Sequence, residues 1–205
     1  MRDTMTLIRR AVKKLKEQLE GSGCDDGIVS LWINTDVPTC QYPKGVCLEA
    51  VYGGRTAEMV TTTPFEGKTK ISFLYEAALK KPKTRAAACA IMNVLTGFAC
   101  MSRKLHACSP SSHEECRELL LRMYDAGSVY PVGDLNSIPD LFKGRIAASP
   151  EEADIIIIAG DGLVSDEGVA IQDQYLETKE FVFLGPSTAG VCSLMDLKHW
   201  CPFGR

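Results

Sequence analysis

Each of the chain's three histidines stands within three residues of a cysteine. His106-Ala-Cys108 is followed by His113-Glu-Glu-Cys116, and His199-Trp-Cys201 comes near the end. Thiolate and imidazole are the groups that zinc and related ions take as ligands, converging at about 2.0 to 2.3 Å on one ion. If Ser112 caps a helix, His113 and Cys116 share a face in its first turn. His106 and Cys108 lie just across a short connection that holds Pro110. These four, His106, Cys108, His113 and Cys116, are the candidate ligands for a transition metal such as zinc, nickel or iron. Their spacing matches no zinc-ribbon or zinc-finger pattern, so packed thiols and surface imidazoles are the competing reading. A second set would join Cys40 and Cys47 to His199 and Cys201, with nothing local in the sequence to bring it together.

A different chemistry is suggested by two glycine-bearing loops. The β-branched run Ile155 to Ile158 closes on Gly160-Asp161-Gly162, and the apolar run Phe181 to Leu184 closes on Gly185-Pro186-Ser187-Thr188. Short apolar runs bounded by glycine read as strands buried on both faces, and the helical pattern between them makes a βαβ unit with a parallel pair. Both loops then lie at one carboxyl edge of the sheet, where open α/β folds place their ligands. Gly160, Asp161, Gly162, Gly185, Pro186, Ser187 and Thr188 form the candidate ligand-binding set. A helix beginning at Ser187 or Thr188 would offer free amides to an anion, and Asp161 could act as a base or hydroxyl acceptor. The ordinary reading is a well-capped strand-to-helix turn. A Walker-type loop, a three-glycine dinucleotide loop and a nucleophile elbow around Ser187 are all missing from the sequence, which argues against an NTPase, a standard dehydrogenase or a serine hydrolase.

The elements that must position these groups are legible in part. Ile8, Val12, Leu15 and Leu19 recur at helical spacing within residues 5 to 20, with Arg and Lys on the other face, expected to be solvated. Strands are expected at 28 to 33, 46 to 52 and 58 to 62, the last two joined as a hairpin across Gly53-Gly54. Asn34 to Gly45 should be a loop, and a short helix is expected at Phe73 to Leu79. From Thr84 to Leu105 the pattern is helical and, between Ala86 and Met101, apolar nearly all round, as in a central buried helix. Asn93 inside it needs a hydrogen-bond partner, for which backbone is the expected source. Ser111 and Ser112, each three residues ahead of a glutamate, predict a capped helix running to Asp125 and stopped by Gly127. Residues 128 to 150 should be mostly connection, with one strand at Ser128 to Val132. Ser165 should cap the crossover helix, and a last helix is expected from Thr188 to Lys198.

In ADIIIIAGDGLVSDEG and FVFLGPSTAG the chain resembles the heavy-metal chelation domain family, and AAACAIMNVLTG adds a weaker match. The resemblance implies an enolase-N-terminal-like α+β domain, here residues 1–104, followed by a Rossmann-like α/β domain with a parallel βαβ unit, residues 105–205. Two departures stand out. The family opens its back domain with a glycine-rich strand and loop, where this chain has only Val129 to Gly133, and Asp161 puts a charge that repels phosphate into a loop of Gly-Thr type.

A net charge of -3 gives no global footprint for nucleic acid, and no stretch approaches the roughly 18 apolar residues of a membrane span. The start, MRDTMTLIRRAVKKLKEQLE, lacks the apolar core and cleavage site of a secretory signal and is expected to be part of the fold. Nine cysteines, an odd count at irregular spacing, fit a reducing cytoplasm better than a disulfide framework. The expectation is a cytoplasmic protein that binds a transition metal or a metal-containing small molecule in a crevice between its two domains, with a homo-oligomer allowed. The alternative is an enzyme acting on an anionic metabolite or nucleotide at the two glycine loops.

Overall fold

The structure, a computed structural model, describes residues 5–205; residues 1–4 of the expected front domain lie outside the described residues. Helix α1 (Leu7–Leu19) starts at Thr6, whose hydroxyl accepts the Arg9 amide. It buries Leu7, Ile8, Ala11, Val12, Leu15 and Leu19, and its lysines face solvent.

Four strands then form an antiparallel sheet. They are β1 (Ile28–Asn34), β2 (Val46–Tyr52), β3 (Arg55–Thr61) and β4 (Gly67–Lys70), in the order β3-β2-β1-β4. Gly53 and Gly54 both take positive φ, 55° and 75°, between the paired Tyr52 and Arg55. This is the two-residue hairpin turn that only glycine-like residues make without strain. It lets β3 begin at Arg55, earlier than the apolar pattern indicates. Strand β4 lies outside the expected strands, because Gly-Lys-Thr-Lys carries no apolar alternation.

Two helices follow, α2 (Ile71–Glu76) and α3 (Pro82–Phe98). Helix α3 is the buried central helix its composition indicates. The front sheet covers one side of it through β2 and β3, and elements of the back half cover the other. It ends where Cys100 takes a left-handed conformation, φ 58°, and the amides of Met101 and Ser102 turn back to Thr96 O. Helix α4 (His113–Met123) is preceded by an extra tight turn at Pro110–Ser112, and that turn displaces the expected cap. Ser109, not Ser111 or Ser112, supplies the capping oxygen, to the Ser111 amide.

The second sheet is parallel throughout: β5 (Val129–Val132), β6 (Ile155–Ala159), β7 (Glu180–Leu184) and β8 (His199–Trp200), in that order. Between them lie α5 (Ile138–Leu141), α6 (Asp161–Val164), α7 (Asp166–Tyr175) and α8 (Ala189–Met195). Ser165 caps α7 by accepting the Gly168 amide at 3.0 Å. The fold class is therefore α/β, with a parallel sheet built from the back of the chain and an antiparallel sheet from the front. The last strand, β8, is only two residues long and has no pattern of its own; it forms because Gly185 N reaches Trp200 O. The strands follow one another in sequence order, so the sheet never reverses direction and has no topological switch point.

Strand alternation divides the interior. Ile156, Ile158, Phe181 and Phe183 belong to a hydrophobic cluster with residues of α1, α3, α7 and α8 that continues into β1, β2 and β3. Ile155, Ile157, Val182 and Leu184 face the other way, into a second cluster holding Cys40, Tyr42, Cys116, Leu120 and Phe142. Central strands buried on both faces explain the unbroken β-branched run. None of the described helices is long and apolar enough to cross a membrane.

Candidate functional site

The glycine loops do sit together, and strand β3 with its exit covers them. Asp161, expected in a loop, begins the helical turn α6. Its Oδ1 accepts the Thr61 hydroxyl at 2.5 Å, and its Oδ2 accepts the Thr62 amide at 2.9 Å and the Thr62 hydroxyl. Gly160 has φ 49°, and a Cβ there would stand 2.5 Å from Pro43 and 2.9 Å from Val60 O. Gly162 is packed against Val132 O in the same way. In the second loop, Gly185, Pro186, Ser187 and Thr188 are all buried. Ser187 Oγ accepts the Val60 amide at 2.9 Å, and the Thr188 hydroxyl donates to Gly185 O at 3.0 Å. Asn93 on α3 completes the seam. Its amide nitrogen donates to Glu58 O, Pro186 O and Ser187 O at 2.9, 3.1 and 3.3 Å, and its oxygen accepts the Gly190 amide at 2.8 Å. The polar groups expected to meet a ligand thus meet the front sheet, in keeping with a parallel sheet that has no switch point to open a crevice.

Two of the three histidines are engaged by groups other than the cysteines. His106 donates Nδ1–H to Glu58 Oε1 at 3.2 Å, and its Nε2 meets the Thr56 hydroxyl at 3.3 Å. The bond to Glu58 is the main reason its pKa lies above the ordinary 6.5. His113 sits at the first turn of α4 with a buried Nε2 that has no partner among the described residues, and burial, followed by the nearby Arg117, holds its pKa down. His199 directs Nε2 to Gly185 O at 2.9 Å. The expected quartet of His106, Cys108, His113 and Cys116 therefore does not gather as one group, because the buried Glu58 carboxylate claims the His106 ring. Among the described residues, no group of three or more His, Cys, Asp or Glu side chains stands in an arrangement that holds a metal ion.

What does gather is a set of thiols from four segments. Cys40 of the front loop, Cys108, Cys116 of α4 and Cys201 of the tail all line one small cavity of about 10 Å³, beside the Gly185-Pro186 turn. That volume is about one water-sized centre. All nine cysteines are free thiols. Burial pushes Cys40 up to about 12; a backbone bond at Tyr42 works against this, and charge at Cys201, Cys108 and Cys116 adds to it. Cys201 rises to about 12, again through burial, with the Gly204 backbone opposing and charge at Cys108 and Cys116 adding. Burial and then Cys116 raise Cys108. Cys116 adds to the rise of each of the other three. Tyr42 Oη lies 3.3 Å from Cys116 Sγ. Trp200, another wall, carries a buried indole N–H with no acceptor among the described residues. Cys47 belongs elsewhere, buried in β2, where burial, Glu58 and Glu49 push it up to about 12.

No family model matches the chain, and no curated protein matches it. Among solved structures, it is similar to a protein of unknown function from the DUF364 family of Pyrococcus horikoshii, with a TM-score of 0.45 and 16% identity over 88% of this chain and 79% of the other. None of these comparisons names the heavy-metal chelation family.

Proposed function

We propose that the chain is a binding protein for a soft transition-metal ion of the zinc class, held by Cys40, Cys108, Cys116 and Cys201. The observation that carries this reading is the meeting of four thiols from four separate segments around a cavity of single-ion size. Thiolates select zinc, copper(I) and iron among the first-row metals, and a cavity this small excludes an organic ligand. Rotation about χ1, from one staggered well to another, is the adjustment that would aim the sulfurs at a common centre. Four thiolates complete a tetrahedral shell and leave no open position for a substrate, so the reading is metal capture and not metal-assisted hydrolysis. The unpaired Trp200 N–H fits as an outer-shell donor to a ligating sulfur. An enzyme at the Gly160–Gly162 and Gly185–Thr188 loops is the weaker reading, since Asp161 and Ser187 already have internal partners.

The test is elemental analysis of untagged protein purified under reducing conditions without chelator. About one equivalent of metal per chain is expected, retained in Cys100→Ser, whose thiol is exposed and outside the cavity, and lost in Cys108→Ser/Cys201→Ser. Protein that carries no metal and takes up none from added zinc would overturn the proposal.

A further inference from the structure

A second site shares no lining residue with the thiol cavity. Here the β2–β3 hairpin tip, the end of α3, the segment that follows it and Arg205 enclose a pocket of about 470 Å³. That is within the usual size of a small-molecule site, roughly 300 to 1,000 Å³. Arg55, Arg103 and Arg205 all line it, with Thr56, Ser102 and His106, and among the described residues no acidic side chain does. The chain as a whole is net negative at -3, so this concentration of guanidinium groups runs against its overall charge.

Among the described residues, neither Arg55 nor Arg103 has an ion-pair partner. Arg205 is fixed by its own backbone, whose oxygen accepts the amides of Leu105 and His106, and by Nε donating to Ala107 O at 3.1 Å. Glu58, whose carboxylate meets the lining residue His106, is buried and already occupied by His106 and the Ala107 amide. Two features oppose an anion. The carboxyl end of α3 contributes about half a negative charge, but its last carbonyls are covered by the amides of Ala99 to Ser102. A carboxylate on the main chain of Arg205 would cancel one guanidinium, and Arg55 and Arg103 would still dominate. Guanidinium forks pair with the oxygens of phosphates and carboxylates in two parallel hydrogen bonds, and the Thr56 and Ser102 hydroxyls can complete the shell.

We infer that this pocket binds a small metabolite through a phosphate or carboxylate group, with Arg55 and Arg103 as the principal contacts. The experiment is thermal unfolding and calorimetric titration of the full chain with inorganic phosphate and, separately, succinate, against sodium chloride at matched ionic strength. At least one of the two should raise Tm beyond the chloride control, and which one does identifies the group recognised. In Arg55→Gln/Arg103→Gln, substitutions at exposed positions that leave the core untouched, affinity should fall at least about tenfold. The inference is overturned if neither anion stabilises the protein beyond chloride, or if the double variant responds as fully as the parent. The thiol cavity plays no part in this outcome, and neither probe is a strong chelator.

Discussion

The Asp161 carboxylate is the acceptor for Thr61 at the end of β3, joining the first turn after β6 to the exit of the front sheet through a 2.5 Å hydrogen bond. With the two bonds from Thr62, it is a clasp between the two halves of the chain. Asp161→Ala should therefore lower stability by about 1 to 3 kcal/mol, the range for hydrogen bonds to a charged group that is only partly buried. Urea unfolding measures this, and a change of a few tenths would show that the clasp is not formed in solution.

Asn93 makes the stronger case because it is fully buried. Asn93→Ala leaves the Gly190 amide and the Glu58 carbonyl without their partner and takes one of two donors from the Pro186 carbonyl, which keeps the Ala189 amide, all away from water. A loss of about 2 to 4 kcal/mol is expected. Asn93→Asp should also be costly, since a carboxylate cannot donate to those carbonyls. Equilibrium unfolding of both variants checks the point; near-parent stability in either would contradict the arrangement.

The acid limb of stability should carry a contribution from Asp154. Bonds from the Ser128 amide and hydroxyl, 2.8 and 2.9 Å, hold its pKa below the ordinary 3.8. A folded pKa lower than the unfolded one gives stability that is present above the unfolded value and is lost as pH falls through the folded one. Asp154→Asn should flatten the dependence of stability on pH below about 4 and leave the neutral region with a constant offset. An unchanged acid slope would show that the carboxylate does not hold the start of β5.

Much of this architecture was legible in the sequence. The one-sided periodicity of α1, the double glycine of the β2–β3 hairpin, the all-round apolar α3 and the β-branched β6 each reflect a local pattern that burial imposes. Elements of two to four residues, β4, β8 and α6, are held by tertiary contacts and leave no such trace. The thiol cavity was half legible. Cys108 and Cys116 stood out by their proximity to histidines, and Cys40 and Cys201 belonged to a second set, yet only the packing of the front loop and tail on α4 joins one pair to the other. His106 misled because its partner, Glu58, lies on a distant strand. Arg55 and Arg103 carried no motif, and the hairpin glycines beside Arg55 were the one local sign of an exposed tip.

Metal uptake should strengthen with rising pH. Cys40 and Cys201, both pushed up to about 12, are protonated at neutral pH and must release protons to bind an ion. Zinc titration against a chromophoric competitor should show apparent affinity increasing from pH 6 to about 8 with concurrent proton release. Affinity independent of pH would point to ligands other than these thiols.

The most direct test of the central claim is cysteine alkylation mapped by peptide mass spectrometry, with and without zinc. Cys108 and Cys201 are half-buried and should label slowly without metal, whereas Cys100 is exposed and should label quickly. Zinc is predicted to protect Cys108 and Cys201 while Cys100 labels as before. Unchanged labelling of Cys108 and Cys201 at saturating zinc, or protection of Cys100 instead, would contradict a metal site at the four-thiol cavity.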